Sequence, residues 1–174
     1  MDLVSSNVTS KTDREIKFRA AKPQDGLSVW RLVQRAGTLE VNTAYFYALF
    51  CSDFRDTCLV ALQGDDLVGV VLGYRRPSQR DTLFCWQIAV TPSRRAQGLA
   101  SQMLRAWLAL PGHHDVRWVA ATVATDNVAS DRLFRRLATD LGVSCDVSEF
   151  LSQSLLPQGH PPEPLYRVGP ISPA

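Results

Sequence analysis

The sequence predicts one domain of the α/β class, of the mixed α+β kind: a central, mostly antiparallel sheet with helices on both faces. Three observations carry this. Strand-like and helix-like segments alternate along nearly the whole chain, in the order β-α-α-β-β-β-α-β-α-β-β. Gly64, Asp65 and Asp66 form a hairpin signal between two apolar runs, which makes those strands antiparallel neighbours. Residues 82–104 read as a buried strand, a tight basic loop and a helix start.

The totals bound the answer. At 174 residues the chain suits a single domain with a real core. Apolar residues make up 45% and charged residues 21%, as in ordinary globular proteins. A net charge of +2 is too small to argue for nucleic acid. No apolar run approaches the roughly 18 residues of a membrane helix. Residues 1–15 are polar, lack a signal-peptide core and are expected to be a disordered tail, leaving residues 16–174 as the domain. Cys51, Cys58, Cys85 and Cys145 form no Cys-x-x-Cys pair and read as reduced, buried thiols of a cytoplasmic protein.

Residues 16–20 suit a short strand. Pro23 then suits a first helical turn, with Asp25 favourable to the helix dipole. Leu27, Trp30, Leu32 and Val33 give that helix its apolar side, and Gly37 stops it. A second helix starts near Asn42 or Thr43, either of which can cap it. Its aromatic content admits two readings for Tyr45 and Tyr47, as core rings or as hydroxyls facing a cleft. Residues 57–63 and 67–75 form the hairpin, and residues 76–81 read as a polar loop.

The strand at residues 82–90 places Phe84, Trp86, Ile88 and Val90 on one face by simple alternation. Pro92 stops its pairing, having no N–H. A helix follows over residues 98–110, ended by Pro111 and Gly112. His113, His114 and Asp115 have no spaced partners that would complete a metal-ligand set, so they read as exposed loop and no metal is expected. Residues 117–125 are the next strand, and Asn127 lies in a cap cluster before a helix over residues 128–141, stopped by Gly142. Residues 143–147 and 165–168 are two further strands. The proline-rich stretch 159–164 reads as a loop that joins no ladder smoothly.

The loop between strand and helix is the most suggestive local feature. Small residues before a helix leave backbone N–H groups pointing outward at the positive end of its dipole, which suits a phosphate. No Gly-Lys-Ser/Thr follows, so it is not a P-loop, and it is not Gly-x-Gly-x-x-Gly. Taken alone it fits a phosphate site or a bare basic connection equally well. It does fit Arg/Gln-x-x-Gly-x-Gly/Ala at Arg95, Gly98 and Ala100. At these residues the chain resembles the GCN5-related N-acetyltransferases, in which such a loop holds the pyrophosphate of acetyl-CoA. The element order agrees over nearly the whole chain, and Asn127 opens the helix where that family often has an asparagine near the cofactor.

The resemblance implies the GCN5-related N-acetyltransferase fold with acetyl-CoA as co-substrate. Ile88, Ala89 and Val90 would pair with the pantetheine arm through their backbone. Arg95, Ala96, Gln97, Gly98, Leu99 and Ala100 would hold the pyrophosphate, with Asn127 nearby. Within that superfamily residues 37–45, 56–61, 81–90, 121–130 and 159–164 are similar to the L-2,4-diaminobutyrate acetyltransferases of ectoine biosynthesis. This closer likeness runs from about Phe18 to Ile171. It implies acetyl transfer to the γ-nitrogen of L-2,4-diaminobutyrate, in a homodimer. The site residues it implies are Glu40, Asn42, Thr43, Tyr45, Trp86, His160 and Glu163. Glu40 departs from the aspartate expected there, so its carboxylate reaches one methylene further.

The residue chemistry suits such a reaction. A free alkylamine has a pKa near about 10, so about one molecule in a thousand is neutral near neutral pH. The site must take a proton or select the neutral amine. The expectation is that Glu163 binds or deprotonates the γ-amine with support from His160, while Glu40 holds an ammonium group beside Asn42 and Thr43. Trp86 would wall the reactive end and exclude water, or simply pack in the core. For Glu163 the plain alternative is a surface loop carboxylate. An N–H of the strand before the loop could polarise the thioester oxygen. Many family members have a tyrosine at the position of Phe134 to protonate the leaving thiolate; here Tyr45, Tyr47 or water must serve. Two other functions stay open on sequence alone, acetylation of another amine and an acyl-CoA-binding module without catalysis.

Overall fold

The computed structural model describes residues 15–172; of the tail expected at residues 1–15, all but Glu15 lies outside them. The described chain forms a seven-stranded sheet with helices on both faces. Its elements are β1 (Ile16–Ala20), α1 (Gly26–Ala36), α2 (Ala44–Asp53), β2 (Leu59–Gln63), β3 (Asp66–Arg76), β4 (Gln79–Val90), α3 (Leu99–Leu108), β5 (Trp118–Thr122), α4 (Val128–Leu141), β6 (Ser144–Leu151) and β7 (Glu163–Gly169). The strand order is β1-β2-β3-β4-β5-β7-β6. All neighbours are antiparallel except β4 and β5, which are parallel.

Helix boundaries follow local chemistry. Pro23 opens a short 3-10 turn and α1 follows it; Gly37, at φ +66°, then turns the chain left-handed, which costs glycine little. Thr43 caps α2 by accepting from the Phe46 N–H at 3.2 Å. Asn127 caps α4 in the same way through Ser130. Helices α1 and α2 pack closely because a Cβ on Gly26 would lie 2.6 Å from Ala48 Cα.

The core has two main parts. Leu83, Cys85, Leu99, Met103, Leu104, Trp107, Phe134 and Leu137 fill the space between the sheet and α3 and α4. Val29, Leu32, Val33, Tyr47, Val60, Val70, Leu72 and Ala89 fill the space between the sheet and α1 and α2. Burial of this kind stabilises by roughly 25 cal/mol per Å² of apolar surface. Leu27 is exposed rather than on the apolar side of its helix; Val29 takes that place.

Several expectations shift. The loop expected at residues 76–81 is only a turn at Pro77 and Ser78, because β3 and β4 run further than their apolar parts. Glu163 and Pro164 belong to β7, and Leu151 pairs with Glu163. His113 is buried, with its Nδ1 2.8 Å from the Trp107 carbonyl, so it is not exposed loop. Burial pushes its pKa down. The largest correction concerns β4. Leu72 pairs with Gln87 and Gly73 with Cys85, so Trp86 is an extra residue opposite no partner. This β-bulge breaks the period of two. Cys85 and Ile88 therefore share the α3 and α4 side, while Trp86 approaches Phe46 and Phe50 of α2. Phe84, Trp86, Ile88 and Val90 do not share one face.

Helices α1 and α2 stop short of the other half of the sheet. On that face β5, β7 and β6 present Trp118, Leu165, Arg167 and Phe150. The Arg167 guanidinium stacks on Trp118 at 3.9 Å. Arg76 lies over both Phe84 and Phe150, at 5.9 and 5.6 Å from the ring centres. Strand β6 is largely exposed along its length.

Candidate active site

Strands β4 and β5 share three rungs only: Thr82 with Trp118, Leu83 with Val119 and Phe84 with Ala120. Beyond them the strands part. Ile88, Ala89 and Val90 pair with Val71, Val70 and Gly69 of β3 on one edge. Their other edge has no strand among the described residues. It offers the backbone donors and acceptors that an extended ligand can use as a further strand.

The open edge leads into the basic loop. Pro92–Arg94 makes a 3-10 turn, and Arg95 is extended. Ala96 and Gly98 then take φ +56° and +75°. A non-glycine residue at positive φ is uncommon and is held there by its surroundings. These turns stand at the start of α3, beside the N–H groups of Ala96, Gln97, Gly98, Leu99 and Ala100. None of the five meets a backbone acceptor among the described residues. An anion at the N-terminus of α3 would satisfy them. The side chains brace the loop: Arg94 donates to Gln63 Oε1 at 3.2 Å and Gln97 Oε1 at 3.1 Å, and Gln97 donates to the Ser93 carbonyl at 3.0 Å. The Arg95 guanidinium donates to the Ala36 carbonyl at the end of α1. The loop is thereby fastened to the root of the next segment, residues 37–43.

That segment carries Glu40, Asn42 and Thr43. It has no regular structure, and it is held to β4 by side chains. Gln87 Nε2 donates to the Glu40 carbonyl at 2.9 Å. Tyr47 donates its hydroxyl proton to Gln87 Oε1 at 3.2 Å and accepts from the Asn42 N–H at 3.2 Å. The Glu40 side chain is exposed, and the Thr43 hydroxyl is occupied as a helix cap. Tyr45 lies on the outer side of α2, 75% exposed in the single chain, while Tyr47 is fully buried. Trp86 is 47% exposed at the bulge. With Phe46, Phe50, Phe54 and Tyr74 it lines an apolar cavity of about 360 Å³.

His160 and Glu163 lie on the far side of the opening. The segment before β7 extends the sheet: the Val123 and Thr125 N–H groups donate to the Pro164 and Pro162 carbonyls at 3.2 and 3.3 Å. His160 Nε2 stands 3.7 Å from Glu163 Oε1, and both side chains are mostly covered. His160 Nδ1 is 2.7 Å from the Pro161 carbonyl. Strand β5 ends at Thr122, which pairs with Leu165. Glu163, two residues before Leu165, shares its face of the sheet. Leu165 packs with Phe84 on that face. Glu163 thus lies on the face of Leu165 and Phe84, with His160 beside it, and no hydrogen bond, ion pair or ring contact joins that pair to Trp86 among the described residues. Among the described residues no hydrogen bond or ion pair joins that pair to residues 37–43. Phe134 is buried against Tyr166, whose hydroxyl donates to Asp131 at 2.8 Å.

Gln87 had not stood out in the sequence. Its signal was there, as one amide in an otherwise apolar strand interior, which must find a partner. Among the described residues no group of three or more His, Cys, Asp or Glu side chains could hold a metal, and no helix is long and apolar enough to cross a membrane. All four cysteines are free, and burial pushes the thiols of Cys51, Cys58 and Cys85 up to about 12.

Comparison with known proteins agrees with this geometry. The model of the Acetyltransferase (GNAT) family matches residues 27–138. An L-2,4-diaminobutyric acid acetyltransferase from Vibrio cholerae is 42% identical over 152 residues, covering 87% of this chain and 88% of its own. One from Shouchella clausii is 39% identical over 149 residues, covering 85% and 83%. Among solved structures, a diaminobutyrate acetyltransferase from Paenibacillus lautus, in complex with L-2,4-diaminobutyric acid and coenzyme A, superposes with a TM-score of 0.86. It is 36% identical and covers 90% of this chain and 96% of its own. The ribosomal-protein-S18-alanine N-acetyltransferase of Escherichia coli, at 15% identity and a TM-score of 0.65, shares the fold. A parted sheet edge, an amide-lined loop at a helix start and relatives alike over almost the whole chain lead to one conclusion: the chain belongs to the GNAT acetyltransferase family, among its diaminobutyric acid acetyltransferases.

Proposed function

We propose that this chain transfers the acetyl group of acetyl-CoA to the γ-amino group of L-2,4-diaminobutyrate, giving the Nγ-acetyl product used in ectoine biosynthesis. The observation that carries this reading is the likeness, along almost the whole chain, to the Paenibacillus lautus enzyme whose structure holds that diamino acid and coenzyme A. The residues present fit a coenzyme: five N–H groups without a turn or loop backbone acceptor stand at a helix start, and a strand edge unpaired among the described residues leads to them.

The roles follow from where the residues lie. The loop amides of Ala96, Gln97, Gly98, Leu99 and Ala100 hold the pyrophosphate, with Asn127 beside them, and Ile88, Ala89 and Val90 align the pantetheine arm. Arg95 acts by fixing the loop to α1. Glu163 accepts or holds the proton of the γ-ammonium, and the nearby His160 orients it. The neutral amine attacks the thioester carbonyl carbon; the carbon–sulfur bond then breaks, the nitrogen gives up its second proton to solvent, and the thiolate takes one up, leaving the amide and the thiol. Glu40, Asn42, Thr43 and Tyr45 meet the rest of the diamino acid, and Trp86 shields the reacting end from water. Water or Tyr45 supplies the thiolate proton, since both functions of the Tyr47 hydroxyl are taken.

A homodimer suits this chain. The face of β5, β7 and β6 left bare by α1 and α2 carries Trp118, Arg167 and Phe150, and β6 is an exposed edge strand. Three buried free thiols suit a reducing cytoplasm.

One assay tests the reading: acetyl-CoA and diaminobutyrate, following thiol release. Release that saturates with diaminobutyrate is expected. Release only with other amines would replace the acceptor, and none with any amine would leave a coenzyme-binding module.

A further inference from the structure

We infer that Gln87 and Tyr47 are positioning residues that set acceptor selectivity, because their hydrogen bonds tie the backbone of residues 37–43 to the bulged strand. This rests on the reading above that the segment meets the acceptor.

The argument begins at the bulge. In an unbroken strand Gln87 would share the side of Cys85, against α3 and α4. The extra residue Trp86 turns Gln87 to the side of α1 and α2, where it is 7% exposed. A buried carboxamide must be satisfied. Its Nε2 donates to the Glu40 carbonyl at 2.9 Å, and its Oε1 accepts from the Tyr47 hydroxyl at 3.2 Å. That hydroxyl in turn accepts from the Asn42 N–H at 3.2 Å. One side-chain pair therefore holds a backbone acceptor and a backbone donor two residues apart. The chain of bonds is closed, with donor matched to acceptor at each step. At its start the Gly37 N–H donates to the Val33 carbonyl at 3.3 Å.

The consequence is geometric. The side chains of Glu40 and Asn42 stand on the backbone groups that Gln87 and Tyr47 hold. Trp86, next to Gln87 at the bulge, is 47% exposed and approaches Phe46 and Phe50 of α2. Bulge and segment are thus coupled through Gln87. A misplacement of about 1 Å in such a segment is enough to cost a large factor in rate.

The test uses Gln87→Leu and Tyr47→Phe in the full chain. Tyr47→Phe keeps the buried ring, so it reads the hydroxyl even if Gln87→Leu does not fold. In each variant kcat/KM for diaminobutyrate is expected to fall at least about tenfold, while KM for acetyl-CoA stays within about twofold. Discrimination against the homologue one methylene longer, commonly worth about 10- to 200-fold, is expected to shrink. The double variant should be no worse than the poorer single one, as for two links of one chain. Unchanged discrimination, or an equal rise in both KM values alongside a lower Tm, overturns the proposal. If the wild type acetylates some other amine instead, the acceptor reading fails. The same ratios, measured with that amine, still decide the role of Gln87.

Discussion

The indole of Trp107 abuts the bare Cα of Gly73 through Cζ2 and Cη2. A Cβ built on Gly73 would overlap that ring and come 2.7 Å from the Phe84 carbonyl oxygen. Trp107 cannot retreat easily, since it is fully buried and its Nε1 donates to the Thr57 carbonyl at 2.8 Å. Gly73→Ala is therefore expected to cost about 2 kcal/mol, as other overpacked cores do. For a chain of this size that lowers Tm by roughly 4–8 °C. A thermal melt checks it, and an unchanged Tm would mean that α3 can shift outward.

Glu163→Gln keeps the shape of the β7 start but removes the carboxylate beside His160. Turnover is expected to fall at least about tenfold, because proton transfer by a placed side chain contributes about that or more. His160→Ala should fall less. Steady-state kinetics over a range of pH read both. A Glu163→Gln profile that overlays the wild type would remove Glu163 from proton transfer.

Much of the fold and the course of the basic loop were legible in the sequence, and the exceptions have physical reasons. The basic loop showed itself through Gly98 and the helix start, since small residues and dipoles act locally. Gly37 and Gly142 marked helix ends for the same reason. The face of Trp86 could not be read. Alternation assumes an unbroken ladder, and the bulge depends on how Gly73 and Leu72 meet β4. His113 looked exposed because its neighbours in sequence are polar, yet it is covered by Trp107 from an earlier helix. Pro164 argued against a strand, but β7 begins at Glu163, and proline is tolerated near a strand start. The place of Gln87 follows from the same bulge and was equally hidden.

Gly98 has φ +75° and nothing within 4 Å of where a Cβ would sit. Gly98→Ala therefore meets no clash and pays only for the left-handed backbone, about 1 kcal/mol. The new methyl group would stand at the start of α3, where the loop N–H groups lie. KM for acetyl-CoA is expected to rise about tenfold, with KM for diaminobutyrate little changed. Varying each substrate in turn separates the two.

Asp25 ties the start of α1 to β1. Its carboxylate accepts from the Arg19 guanidinium at 2.7 and 2.9 Å and from the Lys22 N–H at 2.8 Å. Burial pushes its pKa up, but Arg19 and the Lys22 N–H together outweigh that and hold it below the usual range. A depressed carboxyl stabilises the fold above its unfolded value near about 4, and that contribution is lost as pH falls through the folded value. Asp25→Asn is thus expected to cost about 2 kcal/mol at neutral pH. The gap to the wild type should close below about pH 4. Melting curves from pH 3 to 7 check the sign; a constant gap would point to lost packing instead.

The three rungs between β4 and β5 also have a mechanical meaning. Four strands lie on one side of that joint and three on the other, and the ladder across it is short. Hydrogen bonding there is easily strained, so much of the bond between the halves falls to the helices beneath. A molecule lying along the parted edge would act as an eighth strand and splice the sheet. Coenzyme A at about 100 times its Kd should then protect the fold by about 2.7 kcal/mol. Amide hydrogen exchange should slow most in β4 and β5 rather than at the outer edges.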